Sequence, residues 1–480
     1  MKPFEHSFVA APVPARPLPG PASVPVVGLL VSRLRFFSDP FRGLNALYRR
    51  YGEIAALEAG NPAYVCAFGP RYNHVLFANP SLFHSHISKL PAPPGSALER
   101  IRKNAFTMNG EDHKRQRRVI QPAFHRRHVD AYRDDIVVIA DRILGGCREG
   151  ETFDVFRRLQ RLTLGVIVKI LFGLDPDAVD AHVAKFVEQL NVFSRLFTSR
   201  RLNLMPVDFP LSPYRRLLDV ADDLEVAIRR LVEERRGRFD AYEDVLSRLA
   251  LANEAHGHPE WHDELIGQIF ALLLAGHETT FAAMSWTLYL LAQHPDVMRD
   301  LWAELDAELR GDAPRVEQLA RLPLLDRVIK ESLRVLPPAA YGARIASAPC
   351  ALGGYALPEG SVVIYSQYVT HHMPELFPEP EVFRPARWET IKPSPYEYFP
   401  FGTGPRTCPG AEFALLETKI VLAMLLQRYW PQVAPGQTID LALKINMSAK
   451  PGLSITLRRV GKRFAPTPVR GSICDAVRVG

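Results

Sequence analysis

Phe399-Pro400-Phe401-Gly402-Thr403-Gly404-Pro405-Arg406-Thr407-Cys408-Pro409-Gly410 is the stretch around which the rest of the chain is organised. Three prolines stiffen this loop, and its glycines let the backbone approach a flat object or take positive φ. An apolar, helix-like run follows from Ala411 to about Tyr429. Cys408 sits at the junction, where unpaired amide N–H groups at a helix start stabilise a thiolate and hold its pKa down. Arg406, two residues earlier, offers a fixed fork of donors to a carboxylate. Taken by itself, a free cysteine is as readily a small buried hydrophobe.

The longest helix predicted is Asp263 to Ala292, ended by Pro295. At a rise of 1.5 Å per residue it spans about 45 Å. Its centre, Ile269-Phe270-Ala271-Leu272-Leu273-Leu274, is apolar nearly all round, which marks a helix inside a large protein. A membrane span is the alternative at this length, and Asp263, Glu264, His277 and Glu278 argue against it. Ala275-Gly276-His277-Glu278-Thr279-Thr280 comes next. An acid and two threonines are costly there: the hydroxyls can divert backbone hydrogen bonds and open a bulge. A buried carboxylate without a partner costs several kcal/mol.

Two further segments carry charge in a pattern. Glu331-Ser332-Leu333-Arg334 puts an acid and a base three apart on one helix face, a common surface arrangement when it stands alone. His113 and Arg117 are four apart on a strongly basic helix that Pro122 interrupts, and a solvated basic face explains that spacing equally well.

Together, Phe401, Gly402, Gly404, Arg406, Cys408 and Gly410 resemble the heme-binding loop of the cytochrome P-450 family, the heme-thiolate monooxygenases. The stretch Ala275–Thr280 resembles that family's oxygen-activating segment, and Phe383-Arg384-Pro385-Ala386-Arg387-Trp388 resembles its Phe-x-Pro-x-Arg-aromatic segment. The motifs stand in the family's order, and the resemblance covers roughly residues 20–460. It implies a mainly α fold with small β-sheets (α+β), with the long central helix lying over heme b, iron protoporphyrin IX. By position it implies Cys408 as the axial iron ligand and His113, Arg117, Arg344 and Arg406 as partners of the two heme propionates. Gly402, Gly410 and Ala275 would border the ring, with Gly276 leaving space above the iron. Thr279 would organise hydrogen bonds to dioxygen there, and Glu278 would relay protons with Thr280 in support, while the thiolate favours O–O cleavage. A buried Glu331–Arg334–Arg387 network would hold the layer beneath the cysteine loop.

The same resemblance places Ile87, Leu90, Leu98, Phe193 and Phe270 at the substrate pocket. Leu274, Ala339, Ala340 and Met447 join them; ordinary core packing accounts for each taken singly. All are apolar, so a lipophilic small molecule is expected, such as a terpene, fatty acyl chain, steroid-like molecule or polyketide. The reaction implied is insertion of one oxygen atom from dioxygen, as hydroxylation or epoxidation in secondary metabolism. A peroxygenase, isomerase or dehydratase on the same heme is the alternative, with a non-enzymatic heme sensor behind it. The Glu278–Thr279 pair speaks against the peroxygenase, isomerase or dehydratase, because these need no dioxygen protonation.

Length and composition agree. The 480 residues, 47% hydrophobic and 23% charged, are ordinary for a globular protein with a sizeable core. A net charge of +7, from 59 basic and 52 acidic residues, allows an acidic partner and does not argue for nucleic acid. Five scattered cysteines form no CxxC pair, which favours a reducing, cytoplasmic setting. The domain reading is a proline-rich arm over 1–25, one heme-thiolate monooxygenase domain over 26–460 and a tail over 461–480. The prolines near the start leave no room for a membrane anchor, so the soluble bacterial type is expected, as a monomer. Its electrons would come from a ferredoxin or flavodoxin with an NAD(P)H-dependent reductase, docking near Arg115, Arg118, Arg126 and Arg127.

Overall fold

The computed structural model describes residues 16–23, 28–86, 90–199, 202, 206–461 and 465–478. The helix Trp261–Gln293 runs through the interior, three residues longer than the predicted segment, with most of its residues buried. It packs most extensively on the helix Val155–Phe172, and also on Pro213–Glu233, Pro323–Val335 and Ala411–Leu426. It is long and apolar enough to cross a membrane by composition, yet most of that surface is buried inside the fold. One hydrophobic core reaches from Phe36 to Val477.

Local signals set the helix ends. Asp154, Asp175 and Ser212 cap Val155–Phe172, Pro176–Phe197 and Pro213–Glu233 through side-chain acceptors for the first free N–H groups. The sequence predicts one helix from Phe37 to Tyr51; the chain instead forms two, Gly28–Ser38 and Pro40–Tyr51. Pro40 lacks an N–H and suits a first helical position, and Asp39 caps it by accepting from the Arg42 N–H. The cysteine-loop helix stops at Leu426, and Tyr429–Val433 turns into a strand.

A five-stranded sheet stands to one side, in the order Ile54–Ala56, Tyr64–Ala67, Val362–Tyr365, Gly342–Ala346, Phe83–Ser85. Its pairs are antiparallel except Tyr64–Ala67 with Val362–Tyr365. Tyr355–Leu357 and Val362–Tyr365, both strand-like by sequence on either side of the turn Pro358-Glu359-Gly360, form strands that do not pair with each other; Tyr355–Leu357 pairs with Cys350–Leu352. The described part of the proline-rich arm lies along the sheet edge, where Leu18, Pro19 and Pro21 carbonyls accept from Gly60, Ala56 and Ala59. Residues 465–478, for which the sequence gives no structure, are packed: Ile473, Ala476 and Val477 are buried.

Candidate active site

The cysteine loop ends in a tight turn. The Cys408 N–H donates to the Phe401 carbonyl at 2.8 Å. Gly402 and Gly404 have φ of 69° and 71°, and a Cβ on Gly404 would lie 2.8 Å from the Phe77 carbonyl oxygen. A side chain at Gly404 would therefore be both strained and in collision. Gly410 differs: its φ is −92°, and a Cβ there meets nothing within 4 Å. Its backbone does not need glycine; what it borders is free space.

That space is a cavity of about 1060 Å³, walled by Cys408, Gly402, Gly410, His113, Arg117, Arg344, Arg406, Ala275, Gly276, Thr279, Thr280 and Ala339 among others. The Cys408 thiol opens onto it with protein packed around its other sides. Burial pushes its pKa up, opposed by the Gly410 N–H and by Arg117. The expected low thiol pKa is thus corrected for the protein alone. The helix-start N–H acts in the expected direction, but the surrounding protein atoms outweigh it, although the thiol itself is exposed toward the cavity.

One wall of the cavity is cationic. Arg117 donates to the Thr407 carbonyl at 2.9 Å, Arg344 to the Ala343 carbonyl at 3.3 Å, and Arg406 to Met108 O and Asn109 Oδ1 at 2.6 Å each. Among the described residues none of the three meets a carboxylate, and the buried Nε of Arg406 has no partner. Their mutual repulsion is visible. Burial first, then Arg344, lowers Arg406 to about 10. Burial, then Arg406, Arg117 and Arg344, lowers His113 to about 4, so it is neutral at pH 7. Three converging guanidiniums without an acid call for an anion, and two propionates on the edge of a flat macrocycle supply it. The residues present fit heme b.

The central helix forms a second wall. Thr279 and Thr280 both turn their hydroxyls onto the helix, donating to Ala275 O at 3.0 Å and Gly276 O at 3.2 Å. The helix remains α throughout, so the bulge that these threonines could open is not formed. A Cβ at Gly276 would stand 3.0 Å from Ile167 on Val155–Phe172. This glycine therefore answers to helix–helix packing as well as to the cavity. Glu278 is buried, faces away from the cavity wall and accepts from Ser194 Oγ at 2.6 Å. Burial raises its pKa to about 7, against the lowering pull of Ser194 and Lys444.

Beneath the loop lies the ionic network. Glu331 accepts from Arg334 Nε and Nη2 at 2.9 Å each, from Arg387 Nε at 2.7 Å and from Trp388 Nε1 at 2.9 Å. The remaining donors of both arginines go to backbone carbonyls between Pro378 and Val382 and at His371. His371 was not singled out by sequence reasoning. Fully buried, it accepts at Nε2 from the N–H of Phe399, the first residue of the cysteine loop, at 3.1 Å. It thereby joins the network to the loop.

Of the substrate-pocket residues expected, Ala339 lines the cavity. Leu90, Leu98, Phe193, Phe270, Leu274, Ala340 and Met447 do not; they pack behind the wall or in the core, and Phe193 meets Phe270 edge-on at 5.0 Å. Ile87 lies outside the described residues. A second groove, bordered by Arg117, Arg118, His125, Arg126 and Glu412, exposes the other side of the cysteine loop. Arg118 and Arg126 are exposed there without an ion pair among the described residues. Arg115 is not available to a partner as expected: it holds buried Glu264 and also pairs with Asp112. The Arg127 side chain lies outside the described residues.

Comparison with known proteins agrees with this geometry. The family described as Cytochrome P450 matches residues 18–457. Cyclooctat-9-en-7-ol 5-monooxygenase of Streptomyces melanosporofaciens is 31% identical over 435 residues, covering 87% of this chain and 90% of that one. Cyclooctatin synthase of the same organism is 29% identical over 456 residues, covering 90% and 93%. Among solved structures, retinoic acid-bound cyanobacterial CYP120A1 superposes with a TM-score of 0.79 at 26% identity, covering 93% of this chain and all of that one. With the thiol, the uncompensated arginines and the interior helix meeting at one cavity, the chain belongs to the cytochrome P450 family, as a heme b-dependent monooxygenase of lipophilic small molecules that uses dioxygen and electrons from a redox partner.

Proposed function

We propose that this enzyme hydroxylates or epoxidises a cyclic, terpene-like hydrocarbon or its monoalcohol, in the cytoplasm, with electrons from a ferredoxin. The observation that carries the reading is the single cavity bounded by Cys408, the Ala275–Thr280 face and three arginines without acids. The substrate class rests on the named activity of the relative that acts on cyclooctat-9-en-7-ol. Apolar wall residues such as Leu272, Ala283 and Leu333 suit such a molecule. All five cysteines are unpaired, as a reducing compartment favours.

Bound heme supplies the redox chemistry that activates dioxygen. Cys408 would hold the iron as thiolate, and Arg117, Arg344, Arg406 and His113 would hold the propionates. Thr279 stands on the cavity wall and presents its hydroxyl by releasing Ala275 O. Glu278 stores a proton one helix face away, and its carboxyl near neutrality is suited to give and regain it. Thr280 steadies the same turn. Glu331, Arg334 and Arg387 fix the loop that carries Cys408.

A screen of terpenoid hydrocarbons and alcohols, read by the heme spin-state shift, tests the substrate class. Product should then form only with reductant and dioxygen together. Product formed with peroxide alone, or with neither, overturns the monooxygenase route; a reduced carbon monoxide spectrum without the red-shifted thiolate band overturns Cys408.

Arg118 and Arg126, exposed beside the cysteine loop, are the proposed docking cations for an acidic ferredoxin. Reduction by ferredoxin should slow several-fold as salt rises from about 0.05 to about 0.5 M, because the Debye length shortens from over 10 Å to under 5 Å. Arg126→Glu should flatten that dependence in stopped-flow reduction, while reduction by dithionite stays unchanged.

A further inference from the structure

We infer that residues 465–478 form a strap that sets the shape of the cavity mouth and so helps select the substrate, with Ser472 as its positioning residue. This deepens the family reading and concerns a segment beyond it, since the family match ends at residue 457.

The mouth lies where the cavity passes between the helix pair Gly28–Ser38 and Pro40–Tyr51 and the hairpin of Asp440–Leu443 with Met447–Lys450. Phe37, Arg42 and Lys444 line the cavity there and are solvent-exposed, so this end opens outward. Ser472 lines the same end.

The strap engages the first hairpin strand residue by residue. Ile439 N–H donates to Arg470 O at 2.7 Å, and Arg470 N–H donates to Gln437 O at 3.1 Å. Ser472 then makes two bonds: its Oγ accepts from the Leu441 N–H at 2.8 Å, and its N–H donates to Asp440 Oδ1 at 2.9 Å. Ile473 N–H returns to Ile439 O at 3.1 Å. Gly471 makes this contact possible. Its φ is 101°, and a Cβ would lie 2.4 Å from the Ile439 carbonyl oxygen. No other residue fits between strap and strand without moving one of them.

Both ends of the strap are anchored in the rigid body. Gln293, the last residue of the central helix, donates to Thr467 O at 3.0 Å. Arg478 N–H donates to Glu381 O at 2.9 Å, within the loop whose carbonyls receive Arg334 and Arg387. Buried Ile473, Ala476 and Val477 pin the short helix between these anchors. The second strand and the turn of this hairpin are tied directly to the central helix, by Trp286 Nε1–H to Met447 O at 2.9 Å and Asn446 Nδ2–H to Glu278 O at 2.7 Å; the strap holds the first strand from the other side and links it to the helix end and to the network under the cysteine loop. The mouth wall is thereby fixed, and Ser472 adds a hydroxyl to it.

Ser472→Ala removes one acceptor and is the mild test; Gly471→Ala forces strap and strand apart and is the severe one. Each holoenzyme is compared with the parent by hydrogen–deuterium exchange and by titration with imidazole and 1-dodecylimidazole, whose chain reaches toward the mouth. Exchange over 437–450 should quicken in both variants while the helix 411–426 stays as protected as before. Imidazole should bind unchanged, and 1-dodecylimidazole should weaken by about fivefold in Ser472→Ala, the scale of one lost hydrogen bond. Unaltered exchange over 437–450 overturns the strap. An equal loss for both azoles, or none for either, overturns its part in selection while leaving the heme site itself established by the imidazole titration.

Discussion

Glu331→Ala should yield a chain largely devoid of heme and less stable by about 3–5 kcal/mol, the cost of stripping the acid from a buried ion pair. Glu331 and Arg334 are wholly buried, and Arg387 nearly so. Removing the carboxylate leaves two guanidiniums and the Trp388 indole N–H without their shared acceptor. The backbone N–H of Arg384 loses the same partner. Against a total stability of about 5–15 kcal/mol, that loss is a large share. The damage reaches the cofactor by a short path: Arg334 holds the His371 carbonyl, and His371 Nε2 holds the Phe399 N–H at the head of the cysteine loop. Heme per chain and the urea unfolding midpoint are the measurements. Full heme loading with an unchanged midpoint would remove the network from the account of how Cys408 is placed. Glu331→Gln should fall between, since an amide keeps one acceptor but not the charge.

What the sequence made legible follows from where chemistry restricts residue type over short spans. The cysteine loop, Ala275–Thr280 and Glu331–Arg334 each pack unusual residues into one turn or one helix face, so their patterns are local. His371 acts on Phe399 across 28 residues, Ser194 on Glu278 across 84 and Asn109 on Arg406 across 297. None of these partners has a distinctive neighbourhood, and only the folded chain brings them together. Most of the expected pocket residues lie behind the cavity wall for a different reason. A leucine facing the cavity and one facing the core have the same local pattern, so Leu98 and Met447, both buried in the core, could not be told from wall residues. The tail was unreadable because its order comes from Ser472 and Gly471 meeting Ile439–Leu441, not from any helical or strand-like period. The thiol pKa of the protein alone departs from the helix-start expectation because crowding by the surrounding fold outweighs the Gly410 N–H.

Glu278→Gln should make the protein more stable above pH 7 and much slower as an oxygenase. The carboxyl is held near pKa 7 mainly by burial, well above its ordinary 4.5. Between those values the folded chain binds more protons than the unfolded one, so stability falls as pH rises through this window. Below about pH 4.5 there is no penalty; above about pH 7 the ionised form carries all of it, about 3 kcal/mol for a displacement of this size. Glutamine does not titrate and still accepts from Ser194 Oγ. Its advantage over the parent should therefore grow from nothing near pH 4.5 to as much as about 3 kcal/mol at pH 8, less whatever the new amide N–H loses for want of a partner. Catalysis should move the other way. Without a group able to give up and regain a proton beside Thr279, the rate of product formation should drop about 100-fold, the usual worth of a positioned acid–base group, and product per electron consumed should fall with it. Denaturant unfolding at the two pH values, together with product and NAD(P)H counts at pH 7.5 (an assay value, about neutral), reads both halves. A stability difference that is the same at both pH values would show that Glu278 does not ionise in the folded protein over this range, and the proton store would have to be sought elsewhere on the central helix.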